Sequence, residues 1–172
     1  MKNKALYESL VSAAQSVIDG DGDAVVERMQ VWLKDSIPIM SRSAVEAWNL
    51  DWYASIALED YPVWQADAGE ELLQLIRFEP STEDSLAMAI RDVFWHSVSL
   101  ETAVECPRCR DEYLRVLVKP STDEIVLACD ACSWAQTTTG RRWEESELLR
   151  PASRSAIGNL KLTNPELFVH SK

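Results

Sequence analysis

Cys106-Pro107-Arg108-Cys109 and Cys129-Asp130-Ala131-Cys132 contain every cysteine of the 172-residue chain. Two C-x2-C pairs stand 19 residues apart, and this spacing decides how the second part of the chain folds. A C-x2-C turn puts two sulfurs on one side of a knuckle. Between the pairs, Leu114, Val116 and Val118 alternate with Tyr113, Arg115, Leu117 and Lys119, which is the period of a strand. Pro120 to Glu124 reads as a turn and Ile125 to Ala128 as the returning strand, so a hairpin brings the second knuckle beside the first. Four thiolates suit Zn²⁺, a borderline-soft ion that accepts tetrahedral sulfur ligation. With all four ligands from protein, such a site is closed and its metal structural. A redox C-x2-C fits less well, because redox motifs usually open a helix after a strand.

Downstream, Trp134 to Thr139 predicts a third short strand, Gly140 stops it, and Trp143 to Leu149 predicts a short helix that Pro151 ends. The tail carries scattered apolar residues, Ile157, Leu160, Leu162, Leu167 and Phe168, that can pack back on the body. Upstream the period is helical. Leu6, Leu10, Ala13, Ala14, Val17 and Ile18 mark a first helix, and Gly20 and Gly22 interrupt it. Asp23 can cap a second helix that buries Val25, Val26, Met29, Trp32 and Leu33. Ser43 and Glu46 have the spacing of a capping box for a third helix running to about Leu58, with Val45, Trp48, Trp52 and Ile56 as its buried stripe. A fourth covers about residues 66–78, and Ser81 can cap a fifth that ends near Leu100.

The charge is unevenly placed. Residues 1–104 hold 7 basic and 18 acidic side chains, and residues 105–172 hold 10 of each, so the net −11 sits entirely in the first part. Such a balance repels nucleic acid and anionic membrane surfaces and attracts a basic partner. No apolar run approaches the length of a membrane span, and the polar start predicts a cytoplasmic protein.

Catalytic motifs are missing. No GxGxxG, Walker A, HExxH or GxSxG occurs, and a deaminase would need H-x-E before P-C-x-x-C. The only histidines, His96 and His170, suggest no nucleophile pair, so the chain reads as a non-enzyme. Asp19 to Asp23 resembles the start of an EF-hand loop, but Ala24 and Gln30 stand where Gly and Glu are needed. From Ser43 to Ile76 there is no Lys or Arg, whereas Glu46, Asp51, Glu59, Asp60, Asp67, Glu70 and Glu71 are acidic. Beside them, Tyr61 and Trp64 follow a proline-broken turn and are candidate anchors for a partner. Glu59, Asp60, Tyr61, Trp64 and Asp67 are therefore the candidate partner-binding residues. A competing signal lies in Arg108, Arg110, Arg115, Arg141 and Arg142 with Tyr113 and Trp143, which could contact a phosphate backbone and stack on bases.

Through its two knuckles, the segment 104–139 resembles the zinc-ribbon family, although Arg110 and Ser133 stand where such ribbons often have glycine. The fold class expected is α+β, an acidic helical bundle over residues 1–103 followed by a small four-cysteine zinc ribbon and a short helical tail over 104–172. A ribbon this small is expected to rely on its metal in place of a core. The whole chain is loosely similar to bacterial immunity proteins of toxin–immunity systems: small, acidic in its helical half, and ending its ribbon on Cys129-Asp130-Ala131-Cys132-Ser133-Trp134-Ala135. That resemblance implies an inhibitor that binds a basic toxin domain, often a nuclease, with carboxylates in place of phosphates. The alternative is a zinc-ribbon nucleic-acid-binding or transcription-associated module.

Overall fold

The computed structural model describes residues 2–18, 24–77, 80–144 and 147–169. The expected breaks at Gly20 and Gly22, the Asp23 cap, the acidic turn they belong to, Phe78 and His170 lie outside those residues. The chain is α+β and divides into two units. The first comprises residues up to Leu58 together with Val63–Val98, and the second Glu59–Pro62 together with the chain from Ser99 onward.

The first unit is helical: α1 (Lys2–Ile18), α2 (Val25–Ser36), α3 (Arg42–Ala47), α4 (Leu50–Ser55), α5 (Gln65–Arg77) and α6 (Glu83–Val98). Its core is built from the helical periods of the sequence. Leu6, Leu10 and Ala14 of α1 meet Val26, Met29 and Leu33 of α2, with Leu72 and Leu75 of α5 and Leu86, Ile90, Val93 and Phe94 of α6 also buried. Tyr53 stacks on Phe94 with ring centroids 5.5 Å apart. Gln30 is buried among them, and its amide donates to the carbonyls of Tyr53 (3.0 Å) and Ile56 (2.8 Å), which ties α2 to the end of α4.

The third expected helix is two helices. Asn49 adopts φ 54°, a left-handed conformation that Asn tolerates better than most residues, and it separates α3 from α4. The break resets the helical phase, so α4 buries Leu50, Tyr53 and Ala54. Trp48 and Trp52, expected in the core, are half-exposed. Trp48 instead donates its indole N–H to Asp84 at 2.8 Å. Trp32 is likewise half-exposed and donates to Ser9 Oγ at 3.0 Å. The caps also move. Ser41, not Ser43, accepts from the Ala44 amide (3.4 Å), and Glu46 is left to pair with Arg42 at 2.6 Å. Thr82, not Ser81, caps α6 by accepting from the Ser85 amide at 3.0 Å, while Ser85 Oγ accepts from the Thr82 amide at 3.1 Å.

The second unit is an antiparallel sheet with one helix. Strands β1 (Leu100–Glu105), β2 (Tyr113–Lys119), β3 (Glu124–Ala128) and β4 (Ala135–Thr137) lie in that order, and β5 (Arg150–Pro151) pairs with the far end of β2. The hairpin register runs from Arg115 opposite Ala128 to Lys119 opposite Glu124. Helix α6 stops at Val98, and β1 begins two residues later, ahead of the strands expected from the sequence. The helix expected over 143–149 is absent among the described residues. The Trp143 amide donates to the Ala135 carbonyl (2.8 Å) and Arg142 bridges Gln136, so the start of this stretch is held beside β4.

The tail forms α7 (Arg154–Thr163), capped by Ser153 accepting from the Ala156 amide, and a 3-10 turn over Pro165–Phe168. Ile157, Leu160 and Leu167 are buried with Leu114, Val116 and Leu127 of the sheet, together with Cys106 and Cys129. Leu162, expected to pack, is 83% exposed. The sheet therefore has an apolar core of its own, contrary to the expectation that the metal replaces one. The tail supplies the missing layer.

Candidate metal centre

Each cysteine pair sits in a knuckle at one end of the β2–β3 hairpin, and the two knuckles are built alike. The Cys106 amide donates to the Glu112 carbonyl (2.8 Å) and the Arg110 amide to the Cys106 carbonyl (3.0 Å). In the second knuckle the Cys129 amide donates to the Trp134 carbonyl (2.8 Å). The residue after each second cysteine is left-handed: Arg110 at φ 61° and Ser133 at φ 56°. These are the positions where ribbons often carry glycine, and the chain makes the same turn with side chains that meet a steric penalty there.

All four sulfurs lie within 4.8 Å of one another. Cys106 Sγ is 3.4 Å from Cys132 Sγ, and Cys109 Sγ is 3.6 Å from Cys129 Sγ. A tetrahedral ion with Zn–S bonds of about 2.3 Å needs sulfurs ~3.8 Å apart, so the donor set fits a four-coordinate thiophilic metal. Cys106 and Cys129 are buried, Cys109 and Cys132 half-buried. Burial pushes the Cys106 thiol up, but the amides of Cys109 and Arg108 and the neighbouring thiols outweigh it and bring the group down to about 6. Burial pushes Cys129 up to about 12, against a hydrogen bond from the Cys132 amide, and it raises Cys132 as well. With four protein sulfurs around one centre there is no coordination position for a substrate water. Chemically the arrangement can hold an ion and fix two turns.

The surroundings lock the knuckles in place. Arg115 donates to Asp130 (2.6 Å) in the second knuckle, to Glu101 (2.7 Å) in β1 and to Ser99 Oγ (2.9 Å). Arg108 donates to the Cys132 carbonyl at 3.2 Å, and Arg142 lies 5.3 Å over the Trp134 ring. Three of the five arginines read from the sequence as phosphate contacts are thus engaged inside the unit. Arg110 and Arg141 are exposed. The clamp role of Arg115 was missed in the sequence, and its one signal is its place in a strand flanked by acidic turns.

The candidate partner-binding residues do not form one group in the helical part. Glu59, Asp60 and Tyr61 belong to the second unit, Trp64 and Asp67 to the first. Glu59 and Asp60 are exposed at a 3-10 turn, Leu58–Asp60. Tyr61 is half-buried, and burial, reinforced by the charge of Asp60 and opposed by Arg150, raises its hydroxyl above the usual tyrosine range. Trp64 is 45% exposed while its amide donates to the Ser97 carbonyl at 2.8 Å. Asp67 lies in α5, and its side chain is outside those described. Glu46 and Glu71 of the acidic stretch have partners: Arg42 for the first, His96 Nδ1 at 2.8 Å for the second.

Compared with protein-family models, with curated proteins and with solved structures, the chain finds no match. Among the described residues no helix is long and apolar enough to cross a membrane.

Proposed function

We propose that this chain is a non-catalytic binding protein: its ribbon holds one structural Zn²⁺, and its carboxylates engage a basic protein partner. The zinc reading is supported by the four sulfurs, which sit at the spacing a tetrahedral ion requires. The partner reading is carried by charge. In the second unit Arg115, Arg108 and Arg142 are occupied internally, which leaves Arg110, Arg141 and Arg154 as its exposed cations without a hydrogen-bond or ion-pair partner among the described residues, beside the equally exposed and unpartnered carboxylates of Glu59, Asp60, Asp123 and Glu124. Phosphate binding needs free cations, and binding a basic surface needs free carboxylates. The net −11 of the whole chain opposes a phosphate backbone, and it supports a protein partner over the alternative nucleic-acid module.

The most specific form of this proposal is an immunity-type inhibitor, in which the partner is a basic toxin domain such as a nuclease and the carboxylates occupy the place of its phosphates. The test is purification of the native complex from its host, then binding kinetics with the purified partner. Expected are a basic partner, an association rate that falls steeply as salt rises, and an off-rate that changes little. Cells challenged with the cognate toxin should survive only when the chain is expressed. An acidic partner, or association insensitive to salt, overturns the reading.

A further inference from the structure

The cysteines occupy one end of the β2–β3 hairpin. Its other end opens into a groove of about 710 Å³ in the same unit. Val118 and Ile125 are opposite one another in the ladder, one pair before the turn, and with Leu160 of α7 they give the groove an apolar lining. Asp123, Glu124, Thr138 and Asn159 line it with polar groups, and Tyr61 contributes a ring. No Lys, Arg or His is among the lining residues. Lys119, opposite Glu124 in the ladder, is drawn elsewhere: its ammonium lies 3.7 Å from Glu147 and 5.5 Å over the Trp143 ring. Asp123 and Glu124 keep no counter-ion among the described residues.

This volume lies within the range of about 300–1,000 Å³ typical of ligand sites. Arg150 acts on the Tyr61 end of the groove, but the two uncompensated carboxylates at the turn oppose phosphate and carboxylate ligands there. An aliphatic stem ending in a cation matches the lining best. The stem covers Val118, Ile125 and Leu160, and the head reaches the carboxylates. The amide of Asn159 and the hydroxyl of Thr138 can pair with the backbone of an extended segment. We propose that this groove receives an arginine- or lysine-bearing extended segment of a partner protein. The proposal rests on the basic-partner reading above and moves its docking point to the second unit.

The test uses the full zinc-loaded chain and a fluorescent arginine–serine peptide, with the same peptide carrying neutral citrulline in place of arginine as control. The arginine peptide should bind and the citrulline peptide should bind far less. Asp123→Asn with Glu124→Gln should weaken the arginine peptide by roughly 10-fold, the scale of two exposed charge pairs. Asn159→Arg, at an exposed helix position, should fill the groove with a cation and abolish binding. Asp35→Asn with Asp51→Asn removes the same charge from the first unit and should change nothing. Thermal melts confirm that each variant folds. Equal binding by all variants overturns the groove, and so does a neutral oligosaccharide that shifts the groove amides when the peptide does not. If the groove variants bind the co-purified basic partner undiminished, the groove fails and the basic-partner reading survives. If the peptide binds in the groove but the native partner is acidic, the basic-partner reading fails and the cation groove stands.

Discussion

Arg110 and Ser133 hold left-handed backbone at φ 61° and φ 56°, and neither side chain has a hydrogen-bond or ion-pair partner among the described residues. An L-residue in that region costs roughly 1–2 kcal/mol. Glycine removes the strain but gives back about 0.4–1 kcal/mol, because it frees the unfolded chain. Subtracting the mid-values leaves a stabilisation of about 0.8 kcal/mol per site, so Arg110→Gly with Ser133→Gly should gain about 1.6 kcal/mol. The measurement is hydrogen exchange at the amides of Val116 and Leu127 in zinc-loaded protein at fixed free zinc. Protection there should rise roughly 15-fold in the double variant, each 1.4 kcal/mol being a factor of ten. Unchanged or faster exchange would refute the reasoning, because it would mean that the knuckles are not strained or that the arginine and serine side chains hold them. Repeating the measurement after chelation separates strain that persists in the metal-free knuckles from strain imposed by the ion.

Gln30→Leu should destabilise the first unit by about 2–4 kcal/mol in urea melts, since the Tyr53 and Ile56 carbonyls lose their donor in a buried setting. Zinc affinity should rise with pH: Cys106, at about 6, is largely thiolate at neutral pH, while Cys129, at about 12, and the raised Cys132 must each release a proton. Competition against a chromophoric chelator should therefore show affinity climbing by at least about 100-fold per pH unit above pH 6 for the protons of Cys129 and Cys132 alone, and a flat profile contradicts the assignment of these thiols as ligands. Phe94→Ala should cost about 3–5 kcal/mol and Trp48→Ala clearly less, because Phe94 is fully buried and Trp48 is half-exposed with a single hydrogen bond to Asp84. Equal losses in thermal melts would restore Trp48 to the core.

The four-sulfur cluster was legible because its signal is local. Two C-x2-C turns and a period-2 stretch between them fix where the sulfurs go, and the hairpin register follows from the alternation of Leu114, Val116 and Val118. The turn chemistry was less so: Arg110 and Ser133 adopt glycine-like backbone without the glycine that would announce it. Asn49 did carry a signal, as a residue that tolerates left-handed φ, but the helical stripe across it was continuous and hid the break. Strand β1 follows α6 after one residue, and Leu100, Thr102 and Val104 are too few to show a change of period against the helix before them. The Glu-rich run after Trp143 has helix-forming composition, and the pairing of Arg142 and Trp143 with β4 is a long-range contact that composition does not show. The groove was invisible, since Tyr61, Asp123 and Asn159 are brought together from three distant stretches of chain.

The membership of Glu59–Pro62 has a bearing on dissection. The chain passes between the units three times, at Leu58–Glu59, at Pro62–Val63 and at Val98–Ser99, rather than once through a linker. A fragment ending at Val98 would keep these four residues but lose the unit they belong to, and a fragment beginning at Ser99 would lack the Tyr61 wall of the groove. During synthesis the same order holds. Glu59–Pro62 emerges long before β2, β3 and α7, so it waits for almost the whole chain to be made before its own unit exists.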